Sequence, residues 1–93
     1  MATVDDMFLK ATEDVKLLSV KPDDATLLLL YGYYKQATIG DNNKAQSFLA
    51  RPFFNFKESA KWNAWDKLKG MQKIQAQGNY IKLVKDLQIK SQN

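Results

Sequence analysis

Tyr31, Tyr34 and Lys35 are the residues with which this sequence could do the most specific chemistry. On a helix they stand at i, i+3 and i+4, so two phenol rings and an ammonium group leave one face together. Around Gly32 there are three tyrosines in four residues, Tyr31, Tyr33 and Tyr34, more hydroxyls and flat rings than an apolar core uses. A ring to stack on, with a cation beside it, suits a ligand that combines an aromatic base with phosphates. Lys57, Lys61 and Trp65 fall at i, i+4 and i+8, which sets two ammonium groups on adjacent turns beside an indole edge and reads as a phosphate site. Lys16 lies next to an apolar stripe, so its stem can cross that surface while its head reaches a neighbouring groove. Taken residue by residue, each of these features also has a plain structural reading as core aromatic or solvated lysine.

The residue types that are missing narrow the chemistry further. The sequence has no histidine and no cysteine. That removes Ser-His and Cys-His nucleophiles, His-ligated metals, zinc-thiolate sites and disulfides, together with the commonest near-neutral general base. Binding is the expectation, with no catalytic residues, no metal and no cofactor.

Four helices are needed to position these groups. Val4, Phe8, Ala11, Val15 and Leu18 recur at helical steps and predict a first helix over about 4–18, with Thr3 and Asp6 as a capping box. Pro22 suits the first turn of a second helix, Asp23 and Asp24 complement its dipole, and Gly40 marks its end, so the whole of Leu27 to Lys35 sits on it. Leu27, Leu30, Tyr31 and Tyr34 share a face there, flanked by Leu28 and Leu29. From Gly40 to Lys57 the periodicity is lost, which predicts a long loop held by aromatic residues, with a short helix within Ala45 to Ala50. A third helix over Glu58 to Lys69 ends at Gly70, and a fourth spans about Lys73 to Ile89, with Ile74, Ile81, Val84 and Leu87 or Gln88 on its buried face and Tyr80 beside it. The fold class read from this pattern is an all-α four-helix bundle with one long crossover, a single domain over residues 1–93.

Charge is uneven along the chain. Residues 1–41 carry four lysines against seven acids, a net −3, and residues 42–93 carry ten lysines and arginines against three acids, a net +7. The basic second part with its aromatic residues is compatible with a small helical nucleic-acid-binding module, although the acidic first part and the lack of an arginine-rich recognition helix weigh against it. Met1 to Lys10 has neither the basic start nor the apolar run of a secretory signal, and the longest apolar run, Ala25 to Tyr34, is far shorter than a membrane span of roughly 20 residues. A soluble protein is expected.

Beyond these physical readings, the residues match a known pattern. Tyr31-Gly32-Tyr33-Tyr34-Lys35-Gln36-Ala37-Thr38-Ile39-Gly40-Asp41, then Phe56-Lys57, Ala60-Lys61-Trp62-Asn63-Ala64-Trp65 and Leu68-Lys69-Gly70, then Ala76 with Tyr80-Ile81, strongly resemble the acyl-CoA-binding protein family. Phe8, Ala11, Val15-Lys16 and Lys21-Pro22 fit it as well, so the resemblance covers nearly the whole chain.

The resemblance implies an up-down-down-up four-helix bundle that shelters a fatty acyl chain and holds a CoA head group near its surface. It also implies binding, buffering and intracellular transport of medium- to long-chain fatty acyl-CoA esters by a monomeric, cytoplasmic, non-catalytic carrier that neither binds nucleic acid nor inserts in membranes. By position, Lys16, the segment Tyr31, Gly32, Tyr33, Tyr34 and Lys35, then Lys57, Lys61 and Tyr80 fall where the family contacts its ligand. Tyr31, Lys35, Lys61 and Tyr80 match positions at the adenosine 3′-phosphate and ribose, Tyr34 the position at adenine, and Leu27 and Leu28 positions at the acyl chain. Two departures stand out. The segment between Asp41 and Phe56 is longer than the family's, with Lys44 to Ala50 as the insertion. Met71 to Gln75 replaces a polar approach to the last helix that commonly includes a serine cap, a loss of about 0.5–2 kcal/mol locally.

Overall fold

The computed structural model describes residues 2–42 and 56–91, and within them the chain forms four α-helices and one 3₁₀ turn. Helix α1 spans Val4–Asp14 behind the capping box expected at Thr3: the Thr3 hydroxyl accepts from the Asp6 N–H at 3.1 Å, and the Asp6 carboxylate accepts from the Thr3 N–H at 3.3 Å. It does not continue as an α-helix to Leu18. The chain tightens into a 3₁₀ turn at Val15–Leu17, and Leu18 is extended, a common way for a helix to end.

Helix α2 spans Asp24–Thr38. Pro22 was expected inside its first turn, but Asp23 takes the cap position instead, with its carboxylate accepting from the Thr26 N–H at 2.8 Å, and Pro22 stands one residue outside. Those hydrogen bonds hold the Asp23 carboxyl below its usual range, with a smaller contribution from the charge of Lys90. Gly40 ends the helix as expected, at φ +97. Helix α3 covers Phe56–Asp66, earlier at both ends than the sequence pattern suggests. Bonds from Leu68, Lys69 and Met71 N–H groups to carbonyls three residues back close its last stretch into tight turns, and Gly70 takes φ +93. Helix α4 runs Lys73–Ser91. Most of the expected loop, including the proposed insertion at Lys44 to Ala50 and the short helix there, lies outside the described residues.

Residue pairings define the topology. Asp5 bonds Gln77, Phe8 packs on Tyr80 and Ser19 bonds Ser91, the same sequence offset each time, so α1 and α4 run parallel. Lys61 stands over Tyr31, Gly32 meets Ala64, and Lys35 stands over Trp65, so α2 and α3 are parallel too. Gln36 bonds the Met71 carbonyl ahead of α4 whereas Tyr34 meets Tyr80 farther along it, which makes α2 and α4 antiparallel. The bundle is therefore up-down-down-up. Two parallel neighbours cannot be joined by a tight turn, and this is the geometric reason for the long segment after α2.

Among the described residues the core is built by three helices. Phe8 and Ala11 of α1, Leu30 and Ala37 of α2, and Ala76, Tyr80 and Val84 of α4 are buried together. On α4 this is a correction: Ile74, expected in the core, is 60% exposed, and the buried stripe is Ala76, Tyr80 and Val84. Three alanines among seven core residues let the helices approach closely. Helix α3 packs on α2 through Gly32, where an added Cβ would lie 2.8 Å from the Ala64 carbonyl oxygen.

Candidate functional site

A cavity of about 490 Å³ opens between the 3₁₀ turn, the start of α2 and the middle of α4. Val15, Leu18, Pro22, Leu27 and Leu30 give it an apolar wall. Lys16, Lys21, Tyr31, Tyr34 and Tyr80 supply its polar groups. The helical ladder explains the α2 contribution, because Leu27, Leu30, Tyr31 and Tyr34 recur at steps of three and four and so share one stripe.

An aromatic cluster floors the cavity. The Phe8 and Tyr34 rings stack at 6.0 Å between centroids and 25° between planes, and Phe8 meets Tyr80 edge to face at 5.1 Å and 66°. Tyr34 and Tyr80 are 6.3 Å apart. Tyr34 is 43% exposed, so part of its ring is left for something else to stack on. Burial of Tyr80 pushes its phenol pKa up from the ordinary tyrosine value, with help from neighbouring Tyr34. Its hydroxyl stays protonated and able to donate at neutral pH.

Beside the cavity, cations gather on Tyr31. The Lys61 ammonium lies 5.0 Å from the centre of its ring and the Lys35 ammonium 5.9 Å, with Lys35 also 5.2 Å from the Trp65 ring. Lys61 pairs with Glu58 at 3.4 Å, a long and solvent-exposed contact. Lys16 and Lys21 line the hollow itself, so four lysines lie in or beside a partly apolar site. That field favours an anion, and several nearby phosphates more than one carboxylate.

Five sequence-predicted residues thus line one hollow: Lys16, Leu27, Tyr31, Tyr34 and Tyr80. Lys35 and Lys61 flank it through the Tyr31 ring. Gly32, Tyr33 and Leu28 are not brought to it. Residues 32 and 33 follow Tyr31 by about 100° and 200° around the helix, so Gly32 is buried against α3 and Tyr33 turns to a separate groove with Leu29, Asn79, Lys82 and Leu83. Leu28 is half-buried outside the lining. Lys57 stands on the exposed first turn of α3, one turn before Lys61.

Some residues of the site carry no local signal as such. Val15, Leu18 and Phe8 read as core, and Lys21 as part of a connector. The spacing of Lys16 and Lys21 around the Ser19 break is the one trace that both belong to a rim. Gln36, fully buried, and Asp41 hold the far end: the Gln36 amide donates to Asp41 Oδ1 at 2.8 Å and to the Met71 carbonyl at 2.7 Å, and Asp41 Oδ1 also accepts from the Gly70 N–H at 2.8 Å. The Trp65 indole donates to the Gly40 carbonyl at 2.8 Å. Much of the Gln36 to Asp41 motif therefore ties helices together.

Among the described residues no group of acidic, histidine or cysteine side chains is placed to hold a metal, and no helix is long and apolar enough to cross a membrane. Fold and cavity together define a small all-α ligand-binding bundle. The acyl CoA binding protein profile matches residues 5–84, and the chain belongs to that family. It is 42% identical over 84 residues to acyl-CoA-binding protein 2 of Saccharomyces pastorianus, covering 90% of this chain and 92% of that one. It is 41% identical over 80 residues to an acyl-CoA-binding protein of Gossypium hirsutum, covering 86% and 85%. The crystal structure of Oryza sativa acyl-CoA-binding protein 2 superposes with a TM-score of 0.85 at 35% identity, covering 97% of this chain and 96% of that one.

Proposed function

We propose that this chain binds medium- to long-chain fatty acyl-CoA esters, and buffers and carries them without transforming them. The observation that carries this reading is one hollow with an apolar wall and a tyrosine floor, with Lys16 and Lys21 in its lining and Lys35 and Lys61 beside it on the Tyr31 ring. Acyl-CoA presents the matching set: an alkyl chain, a purine, a 3′-phosphate and a diphosphate. In this reading Leu27 and its apolar neighbours receive the acyl chain, Tyr34 stacks on the purine, and Lys16, Lys35 and Lys61 meet the phosphates. Tyr31 and Tyr80 add phenol groups next to the ribose, and Lys57 extends the basic rim. Gly32 and Tyr33 serve through α2 itself, by setting how closely it packs on its neighbours. Family membership supports a monomeric, cytoplasmic carrier rather than the nucleic-acid module.

Removing about twelve methylenes from water at roughly 0.8 kcal/mol each contributes on the order of 10 kcal/mol before ordering costs, and charge-assisted phosphate contacts add about 1.5–3 kcal/mol each where water is excluded. The chain supplies most of the affinity, and the lysine and tyrosine cluster supplies the demand for CoA. Titration calorimetry with hexadecanoyl-CoA, free hexadecanoate and free CoA tests this. Hexadecanoyl-CoA binds far more tightly than either fragment; equal affinity for the fatty acid and its CoA ester would remove the head-group assignment.

A further inference from the structure

Helix α4 carries two apolar stripes, and only one is covered. The first, Ala76, Tyr80 and Val84, is in the core. The second is turned away from it at Ile74 and Ile89, which are 60% and 61% exposed, while Ile81, between the two stripes, is partly buried against the core. Next to Ile74 and Ile81, Val4 and Met7 of the parallel helix α1 complete an apolar trough of about 380 Å³. Gly78 leaves a gap in its wall, since a Cβ there would meet nothing within 4 Å. Lys82 and Lys85 line one end, and neither forms an ion pair among the described residues. The trough shares no lining residue with the ligand cavity.

We propose that this trough docks an amphipathic helix of a partner protein, with acidic residues at the end of its apolar face that meets Lys82 and Lys85. A trough between two helices accepts the side-chain ridge of a third, whose anchors recur at i, i+3, i+4 and i+7. From Ile74 to Lys85 the floor is about 16 Å long, three helical turns. The two lysines provide charge complementarity, which fixes the direction in which the visiting helix lies. A bilayer fits less well. The surface is concave, and Asp5 and Asp6 stand on the first turn of α1 beside Val4 and Met7, where anionic headgroups would meet them. Docking on this side leaves the ligand cavity open, so a partner can hold the protein while it loads or releases its cargo.

Fluorescence anisotropy of a labelled amphipathic peptide with leucine anchors and glutamate flanks, titrated with the full chain, tests the proposal. A lysine-flanked peptide and vesicles of mixed neutral and anionic phospholipid form the parallel arms. The glutamate peptide binds at least about tenfold more tightly than the lysine peptide, and Lys85→Glu abolishes that preference. Gly78→Leu fills the trough from a position open to solvent and weakens the peptide at least about tenfold, while hexadecanoyl-CoA titrations of both variants match the parent. Equal binding of the two peptides, or no effect of Gly78→Leu, overturns the proposal. Preference for anionic vesicles over the peptide assigns the face to a membrane, and a dimer in sedimentation that Gly78→Leu dissociates assigns it to a second copy; either result overturns it too.

Discussion

Two ammonium groups, those of Lys35 and Lys61, lie within 6 Å of the centre of the Tyr31 ring. The quadrupole of the ring partly compensates this gathering of like charge, and a bound phosphate compensates it fully. Tyr34 contributes differently, with the exposed part of a ring already stacked on Phe8. Lys61→Ala and Tyr34→Ala are each expected to weaken hexadecanoyl-CoA by at least about 1 kcal/mol, roughly fivefold in Kd, with helical circular dichroism intact. The Lys61→Ala loss shrinks as salt is raised, because an exposed charge contact is screened, whereas the Tyr34→Ala loss persists. Unchanged affinity in both variants would move the site elsewhere. Tyr31, Tyr34 and Lys35 were legible in the sequence because they share α2 and its spacing of three and four, and Lys61 because it stands one turn after Lys57 and one before Trp65 on α3. Phe8 and Lys21 were not, since only the packing of α1 and the 3₁₀ turn onto α2 and α4 gives them a part in the site.

The helices were legible for the same reason, and their ends less so. At α2 the Asp23 carboxylate competed with Pro22 for the start and won through its bond to the Thr26 N–H. At α4 periodicity alone favoured Ile74, which is 60% exposed, because it finds apolar positions without telling which of them a neighbour will cover; Ile81 does pack against the core. Glycine illustrates the same dependence on surroundings. Gly32 and Gly78 both sit inside helices, where replacing glycine by alanine gains about 1 kcal/mol of helix propensity. At Gly78 the new Cβ meets open space, so Gly78→Ala raises the melting temperature. At Gly32 it would lie 2.8 Å from the Ala64 backbone oxygen, and the shift of α3 needed to relieve that contact outweighs the propensity gain. Gly32→Ala therefore lowers the melting temperature. Thermal unfolding of the pair decides this: a rise for both would show that α3 does not press on α2 at Gly32.

At the scale of the whole molecule, the site depends on contacts that lie outside its lining. Lys16, Tyr31, Lys61 and Tyr80 come from four different parts of the chain, and among the described residues α3 packs mainly along α2. The Gln36 amide, bonded to Asp41 and to the Met71 carbonyl, and the Trp65 indole, bonded to Gly40, fasten the end of α2 to the turn between α3 and α4. Gln36→Ala leaves buried partners unsatisfied, at a cost of about 1–3 kcal/mol, which for a domain of this size lowers the melting temperature by roughly 4–8 °C per kcal/mol. Ligand acts on the same equilibrium: hexadecanoyl-CoA at about a hundredfold over its Kd stabilises the native state by about 2.7 kcal/mol. Because Gln36 does not line the hollow, the ligand-induced rise is expected to be the same in Gln36→Ala as in the parent, and at that excess it restores most of what the substitution removes. Melting curves of both proteins with and without hexadecanoyl-CoA separate the two roles. A parent-like melting temperature for unliganded Gln36→Ala would deny the tie its structural part, and a markedly smaller ligand increment would show that it also shapes the site.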